Sequence, residues 1–228
     1  MKTSPREKDW VVAASFECMK ILIADDHAVF RRGLINVLSE RFPAAAEFGE
    51  AETAQAALDL VWKKKWDMMV LDITMPGRSG LEILKQIRQA QPKLPVLVLS
   101  MHPEEHYAIR VLKAGAAGYI TKLKAPKQLV RAVERVLAGG SYVSPSIADR
   151  LVKNLRSSTR KVPHEQLSNR EFEVLKLISL GKSSKDIAEN LCVSPQTVST
   201  HRARILKKLS LRTTAELIRY ALQKRLAD

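Results

Sequence analysis

From Lys20 to about Leu137 the chain alternates short apolar runs with amphipathic stretches, and this alternation constrains the fold more than any other feature. The runs are Lys20–Ala24, Glu47–Ala51 (the weakest), Asp67–Asp72, Val96–Ser100 and Gly118–Thr121. Each is too short for a typical helix and bounded by turn formers, so each predicts a strand. Helical spacing of apolar residues fills the gaps near Val29–Arg41, Thr53–Lys64, Leu81–Gln89, Glu104–Leu112 and Pro126–Leu137. Strands separated by helices predict a doubly wound, five-stranded parallel α/β sheet with helices on both faces. The carboxyl ends of its strands then gather on one edge, where such sheets bind ligands.

The residues at those ends are unusual. Ile21-Leu22-Ile23-Ala24 runs into Asp25-Asp26, and Met68-Met69-Val70-Leu71 runs into Asp72, followed by the turn-prone Thr74-Met75-Pro76-Gly77. Three carboxylates would share one pocket, each close pair repelling by about 4 kcal/mol at an effective dielectric near 20. Such a pocket needs cations. Lys122, just past Gly118-Tyr119-Ile120-Thr121, can supply one, and an oxygen-seeking Mg²⁺ another. Ser100 ends the run Pro95–Leu99 on the same edge. Alone, Ser100 and Tyr119 read as a strand-end hydroxyl and a core aromatic. Beside the acidic cluster, a functional reading is preferred.

The 228 residues suffice for two domains, each with its own core. The net charge of +14 implies an anionic partner, nucleic acid or a membrane surface. It divides as 0 over residues 1–18, +5 over 19–140, +4 over 141–162 and +5 over 163–228, so the short third stretch is the most densely basic. Gly139-Gly140 ends the last helical stretch of the first domain, and Ser144–Leu155 fits a short connecting helix. Arg156–Pro163 is polar and basic and reads as a linker. The expected organisation is an N-terminal extension (1–18) of loose order, a first domain (19–138), a linker (139–162) and a terminal domain (163–228). Cys18 and Cys192 give no disulfide framework and fit a reducing cytoplasm. No run approaches the roughly 18 apolar residues of a membrane span, so no membrane is expected; Trp10–Phe16 is also too short for a cleaved signal.

Beyond Pro163 the period is helical throughout. Ser168 with Glu171 and Thr213 with Glu216 make capping boxes, Gly181 closes one helix, and Ser194-Pro195 caps another. Only Cys192-Val193 separates the second helix, opened by Ser184, from the third, which is helix-turn-helix spacing. The outward face of the third helix offers Gln196, Thr197, Ser199, Thr200, Arg202, Ala203, Lys207 and Lys208. Small polar groups suit base edges and cations suit phosphates. A small helical bundle with a solvated basic face remains the alternative on spacing alone.

The run Leu167-Ser168-Asn169-Arg170-Glu171-Phe172-Glu173-Val174-Leu175, with Gly181, Ile187-Ala188, Leu191, Ser194, Thr197-Val198, His201 and Lys208-Leu209, resembles the LuxR/NarL-type DNA-binding domain. Ser199 departs from it, since that family often has lysine there, so its preferred DNA sequence does not transfer. The family's fourth helix commonly forms a dimer surface, which the resemblance places at Leu217, Ile218 and Ala221. The set Asp25-Asp26, Asp72, Ser100 and Lys122 resembles the receiver domain of two-component response regulators, and the whole chain resembles a NarL/FixJ-type response regulator.

The resemblance implies a regulator rather than an enzyme. Asp72 would take a phosphoryl group from a sensor histidine kinase. Asp25, Asp26, Asp72 and the backbone carbonyl of Thr74 would hold Mg²⁺, Asp25 through water. Ser100, Tyr119 and Lys122 would contact or sense the phosphoryl group, and the phosphorylated protein would bind double-stranded DNA as a homodimer. An aspartyl phosphatase is the rival from another class, but it needs an acid two residues past its nucleophile, where Thr74 stands. Leu123 follows Lys122 where many receivers have proline, so a cis bond is not expected. His102 and His106 lack a third metal ligand and read as a solvated helix start. His27 reads as a helix-start residue, His201 as packing with some backbone contact, and Cys192 as core.

Overall fold

The computed structural model describes residues 19–43, 46–75, 80–156, 163–224 and 226. The expectations for the N-terminal extension, the Pro76-Gly77 turn and most of the basic linker lie outside the described residues. The chain divides into two compact units, with a break between Val143 and Ser144.

The first unit alternates strands and helices: β1 (Met19–Ala24), α1 (Ala28–Arg41), β2 (Ala46–Ala51), α2 (Ala54–Lys63), β3 (Met68–Asp72), α3 (Gly80–Ala90), β4 (Val96–Ser100), α4 (Glu104–Lys113), β5 (Gly118–Thr121) and α5 (Ala125–Leu137). All strands pair in parallel in the order β2-β1-β3-β4-β5. Order and direction make it a flavodoxin-like doubly wound sheet. Sequence order reverses between β1 and β3, which is where a crevice opens at the carboxyl edge. Asp25 follows β1 and Asp72 ends β3, so the topology alone brings them together.

Strands β3 and β4 are buried along their whole length, as expected for a sheet covered on both faces. On one face Ile21, Ile23, Val70, Leu97, Leu99 and Ile120 pack with Leu34 and Leu38 of α1 and with Leu129 and Val133 of α5. Alternation sends Leu22, Met69, Leu71 and Val98, all buried, to the other face. β2, the weakest pattern, is an edge strand. At the other edge Tyr142 makes an isolated parallel bridge with Gly118. Its N–H donates to Ala117 O (3.0 Å), and its carbonyl accepts from Tyr119 N (3.1 Å). Gly118 permits this approach, because a Cβ there would lie 2.6 Å from Tyr142 O.

The second unit is helical: α6 (Pro145–Arg156), a 3₁₀ turn (Pro163–Gln166), α7 (Asn169–Ser179), α8 (Ser184–Asn190), α9 (Pro195–Leu209) and α10 (Thr214–Gln223). Capping boxes form at Ser168/Glu171 and Thr213/Glu216, and Ser194 caps α9 with Pro195 at its first position. α8 is capped by Ser183 with Asp186, one residue before the expected Ser184. Gly181 (φ +76°) ends α7 in a Schellman motif, with its N–H on Ile178 O and that of Lys182 on Leu177 O. The same motif ends α8 at Cys192 (φ 50°), with Cys192 N on Glu189 O and Val193 N on Ala188 O. Cys192 is therefore exposed rather than core, since the left-handed residue past a helix end turns its side chain to solvent.

Candidate functional site

The pocket at the carboxyl edge is built around one ammonium. Lys122 Nζ lies 2.7 Å from Asp25 Oδ2 and 2.7 Å from Asp72 Oδ2. Both carboxylates are 1 % exposed and Lys122 is 7 % exposed. The Phe30 ring centroid, 4.8 Å from Nζ, covers the ammonium further. Burial works against the Lys122 charge, but the two carboxylates outweigh it and hold the pKa above the ordinary lysine value. Lys122 is therefore a fixed cation.

The other oxygens are arranged by the loops. Asp72 Oδ1 accepts from Thr74 N (2.8 Å) and Thr74 Oγ1 (2.6 Å). Asp25 Oδ1 accepts from His27 N (2.9 Å), and His27 Nδ1 lies 2.8 Å from Asp26 Oδ1. One ligand atom from each of Asp25, Asp26, His27 and Asp72 falls within a 4.8 Å cluster. Asp25 Oδ2 and Asp72 Oδ2 are buried with no hydrogen-bond partner beyond the Lys122 ion pairs among the described residues. Hard oxygen donors with unspent lone pairs are what Mg²⁺ takes, so the pocket is compatible with that ion.

Ser100 and Tyr119 converge on the backbone of a single residue, His102, from its two sides. Ser100 is fully buried and its Oγ accepts from His102 N at 3.0 Å. Tyr119 is 2 % exposed, and its hydroxyl donates to the His102 carbonyl at 2.7 Å. The peptide bond after Lys122 is trans, as are all described ones.

Sequence reading passed over Arg31. It is 4 % exposed and donates to the Asp25 carbonyl (Nη1, 2.7 Å), Glu50 (Nε, 2.7 Å) and Glu52 (Nη2, 2.7 Å). A signal was present: Arg31 stands in the i, i+3, i+7 stripe with Leu34 and Leu38, where a charge is out of place on an inward face.

In the second unit α7 packs against α9 and α10, and α8 against α9. Val198, Ile205 and Leu209 of α9 are buried. Its exposed face carries Gln196, Thr200, Ala203 and Lys207, joined by Arg204, which sequence reading omitted; Ser199 and Arg202 are half-buried on its flanks. The half-buried Thr197 is engaged locally, its hydroxyl 2.9 Å from Ser194 Oγ. Lys208 turns back to Glu171, Nζ to Oε2 2.6 Å. The expected dimer residues Leu217 and Ala221 are fully buried in this unit's own core and cannot form a surface; Ile218 is half-exposed. The exposed stripe on α10 is Ala215, Ile218 and Leu222, one helical face away.

Comparison with known proteins matches both units. Residues 21–134 match the response regulator receiver domain, and residues 165–221 match the luxR family of bacterial regulatory proteins. The oxygen regulatory protein NreC of Staphylococcus haemolyticus is 40% identical over 222 residues, covering 92% of this chain and 100% of that protein. The response regulator GacA of Pseudomonas aeruginosa is 34% identical over 211 residues, covering 92% and 98%. Among solved structures, RcsB of Salmonella enterica serovar Typhimurium bound to promoter rprA in the presence of the phosphomimetic BeF₃⁻ is similar, with a TM-score of 0.61 and 26% identity over 90% of this chain and 98% of that one. The carboxylate pocket on a receiver sheet and the helix-turn-helix that follows it in the chain therefore have one explanation: the chain belongs to the DNA-binding response regulators of two-component systems, with a receiver domain preceding a luxR-type regulatory domain in sequence.

Proposed function

We propose that Asp72 is the phosphoacceptor and that its phosphorylation by a sensor histidine kinase controls DNA binding by α9. The observation that carries this reading is the Lys122 ammonium held between two buried carboxylates that flank the topological switch point of the sheet. A carboxylate oxygen of Asp72 attacks the phosphorus of a phosphohistidine. The new O–P bond forms as the P–N bond breaks, and its electron pair leaves with the imidazole. Lys122 stays charged throughout and steadies the negative charge on the transferring oxygens. Asp25, Asp26, Asp72 and the Thr74 carbonyl would hold Mg²⁺, with Asp25 acting through water; when bound, the ion neutralises the carboxylates and the phosphoryl oxygens. The apolar side chains of Val29, Met101 and Leu123 are 88 %, 59 % and 83 % exposed beside the loops of this edge. They suit the docking of a phosphodonor protein.

The switch follows from the shared residue, His102, whose N–H Ser100 holds and whose carbonyl Tyr119 holds. If Ser100 Oγ turns to the phosphoryl group, it releases His102 N. The loop that Tyr119 holds through the His102 carbonyl is then free to move, and the Tyr119 side chain with it. Phosphorylated protein forms homodimers, and two α9 helices engage double-stranded DNA together. Gln196, Ser199 and Thr200 face base edges, while Arg202, Arg204 and Lys207 meet phosphates. Ala215, Ile218 and Leu222 replace Leu217 and Ala221 as the dimer face. Among the described residues no helix is long and apolar enough to cross a membrane, and the site of action is the cytoplasm.

The test is intact mass after incubation with acetyl phosphate and Mg²⁺. Wild type should gain a phosphoryl adduct and Asp72→Asn should not; an adduct on both, or on neither, rejects Asp72 as the acceptor.

A further inference from the structure

We propose that Arg31 is a positioning residue for the divalent-cation pocket: its guanidinium clamps the Asp25–Asp26 peptide to the end of β2, so that both carboxylates stand ready for the metal. This rests on the reading of the pocket as a Mg²⁺ site.

Two neighbouring aspartates beside a third repel one another, and a loop free to move would splay them. The structure restrains this loop from both sides of one residue. The Asp25 N–H donates to Ala51 O at 3.1 Å. The Asp25 carbonyl accepts from Arg31 Nη1 at 2.7 Å. Arg31 is in turn held by Glu50 and Glu52, the residues on either side of Ala51. The N–H and the C=O of Asp25 are thus both referred to the same three residues at the end of β2. The peptide that leads into Asp26 has its orientation set by a planar fork with three directional bonds. A lysine would carry the charge without the fork.

The charges also separate positioning from competition. Glu50 and Glu52 carry two negative charges against the single positive charge of Arg31, so the guanidinium does not stand in for the metal. Its contribution to the pocket is a hydrogen bond and a geometry. Arg41 of the same helix supplies the control, since its ion pair with Glu134 (2.7 Å) involves no residue of the pocket.

The experiment is calorimetric titration of Mg²⁺ into the full-length, metal-free protein as wild type, Arg31→Lys, Arg31→Met and Arg41→Gln. Thermal denaturation and amide hydrogen exchange are measured on the same metal-free samples. Groups that orient metal ligands from behind typically carry about 10- to 100-fold in affinity. Both Arg31 variants are therefore expected to weaken Mg²⁺ by about tenfold, and to speed exchange at the Asp25 and His27 amides, while Arg41→Gln matches wild type. Arg31→Lys keeps the charge and guards against simple misfolding of Arg31→Met. Arg31→Lys binding Mg²⁺ as tightly as wild type would overturn the proposal, as would Arg41→Gln weakening it equally. Wild type that binds no Mg²⁺ overturns the pocket reading itself, and the inference with it.

Discussion

Lys122 holds together two buried carboxylates that would otherwise repel. Removing one member of a buried ionic group leaves an uncompensated charge, at about 3–5 kcal/mol. Lys122→Met should therefore lose stability on that scale without metal, and regain more of it than wild type when Mg²⁺ is added. Urea denaturation with and without Mg²⁺ checks this, and equal responses to the ion in both proteins would reject it. The raised Lys122 pKa sets the pH window. Its contribution is complete below the ordinary lysine value of 10.5 and is lost only as pH climbs through the higher folded value. From neutral pH up to 10.5 the lysine's own titration should leave the contribution unchanged. Arg31 acts at the same scale and could not be assigned partners without the fold; for Lys122 the sequence pointed to the acidic pocket, but not to which two oxygens it meets.

At the scale of elements, α9 is tied back to α7 by Lys208 and Glu171. Burial raises the Glu171 pKa, but Lys208 and the Ser168 cap outweigh it, and the net shift is downward from 4.5. A lowered carboxylate stabilises the fold above its ordinary pKa and loses that contribution as pH falls through the folded value. Amides of the first turn of α7 should therefore lose protection as pH drops below 4.5, and Glu171→Gln should flatten that dependence. The same pair reassigns Lys208. Each phosphate contact contributes about 0.9 to the slope of log K against log salt. Lys207→Gln should reduce the slope by about that amount, whereas Lys208→Gln should leave it unchanged while lowering stability. Equal slopes for both variants would return Lys208 to the DNA face. On the sheet, Gly118→Ala would drive a methyl into the Tyr142 carbonyl. A loss of about 1–3 kcal/mol is expected, with faster exchange at the Tyr142 amide; unchanged exchange would mean the bridge is dispensable.

For the whole molecule, one modification has to reach a DNA-binding helix in a second unit, and dimerisation is the economical route. Each half-site contact is weak, but joining two makes the second intramolecular. Sedimentation with acetyl phosphate and Mg²⁺ should show wild type shifting to dimer and Asp72→Asn remaining monomeric. Leu222→Asp, on the exposed stripe of α10, should accept the phosphoryl group, stay monomeric and bind operator DNA more weakly. A dimer of Leu222→Asp at wild-type concentration would move the interface elsewhere. The net charge of +14 makes all of these affinities salt-dependent, so they should be compared at one ionic strength.

The βα alternation, the caps and the acidic strand ends were legible in the sequence because they are local. Periodicity, N-cap chemistry and a polar residue ending an apolar run depend on neighbours within a few positions. The existence of all five strands and the identities of Asp25, Asp72 and Lys122 followed from those rules. Long-range pairing was not legible. The resemblance placed Leu217 and Ala221 on a dimer surface; the fourth helix has two apolar stripes, and only packing against α7 shows which is spent. Cys192 read as core because hydrophobicity says nothing of a left-handed turn. Arg31 drew no reading because its side-chain partners lie at the end of β2, some twenty residues away, and Lys208 read as a DNA contact because its partner Glu171 lies two helices upstream. Local chemistry specified which elements form and what they carry; tertiary structure decided which charges meet, since ion pairs are made across space between segments that the chain does not place side by side.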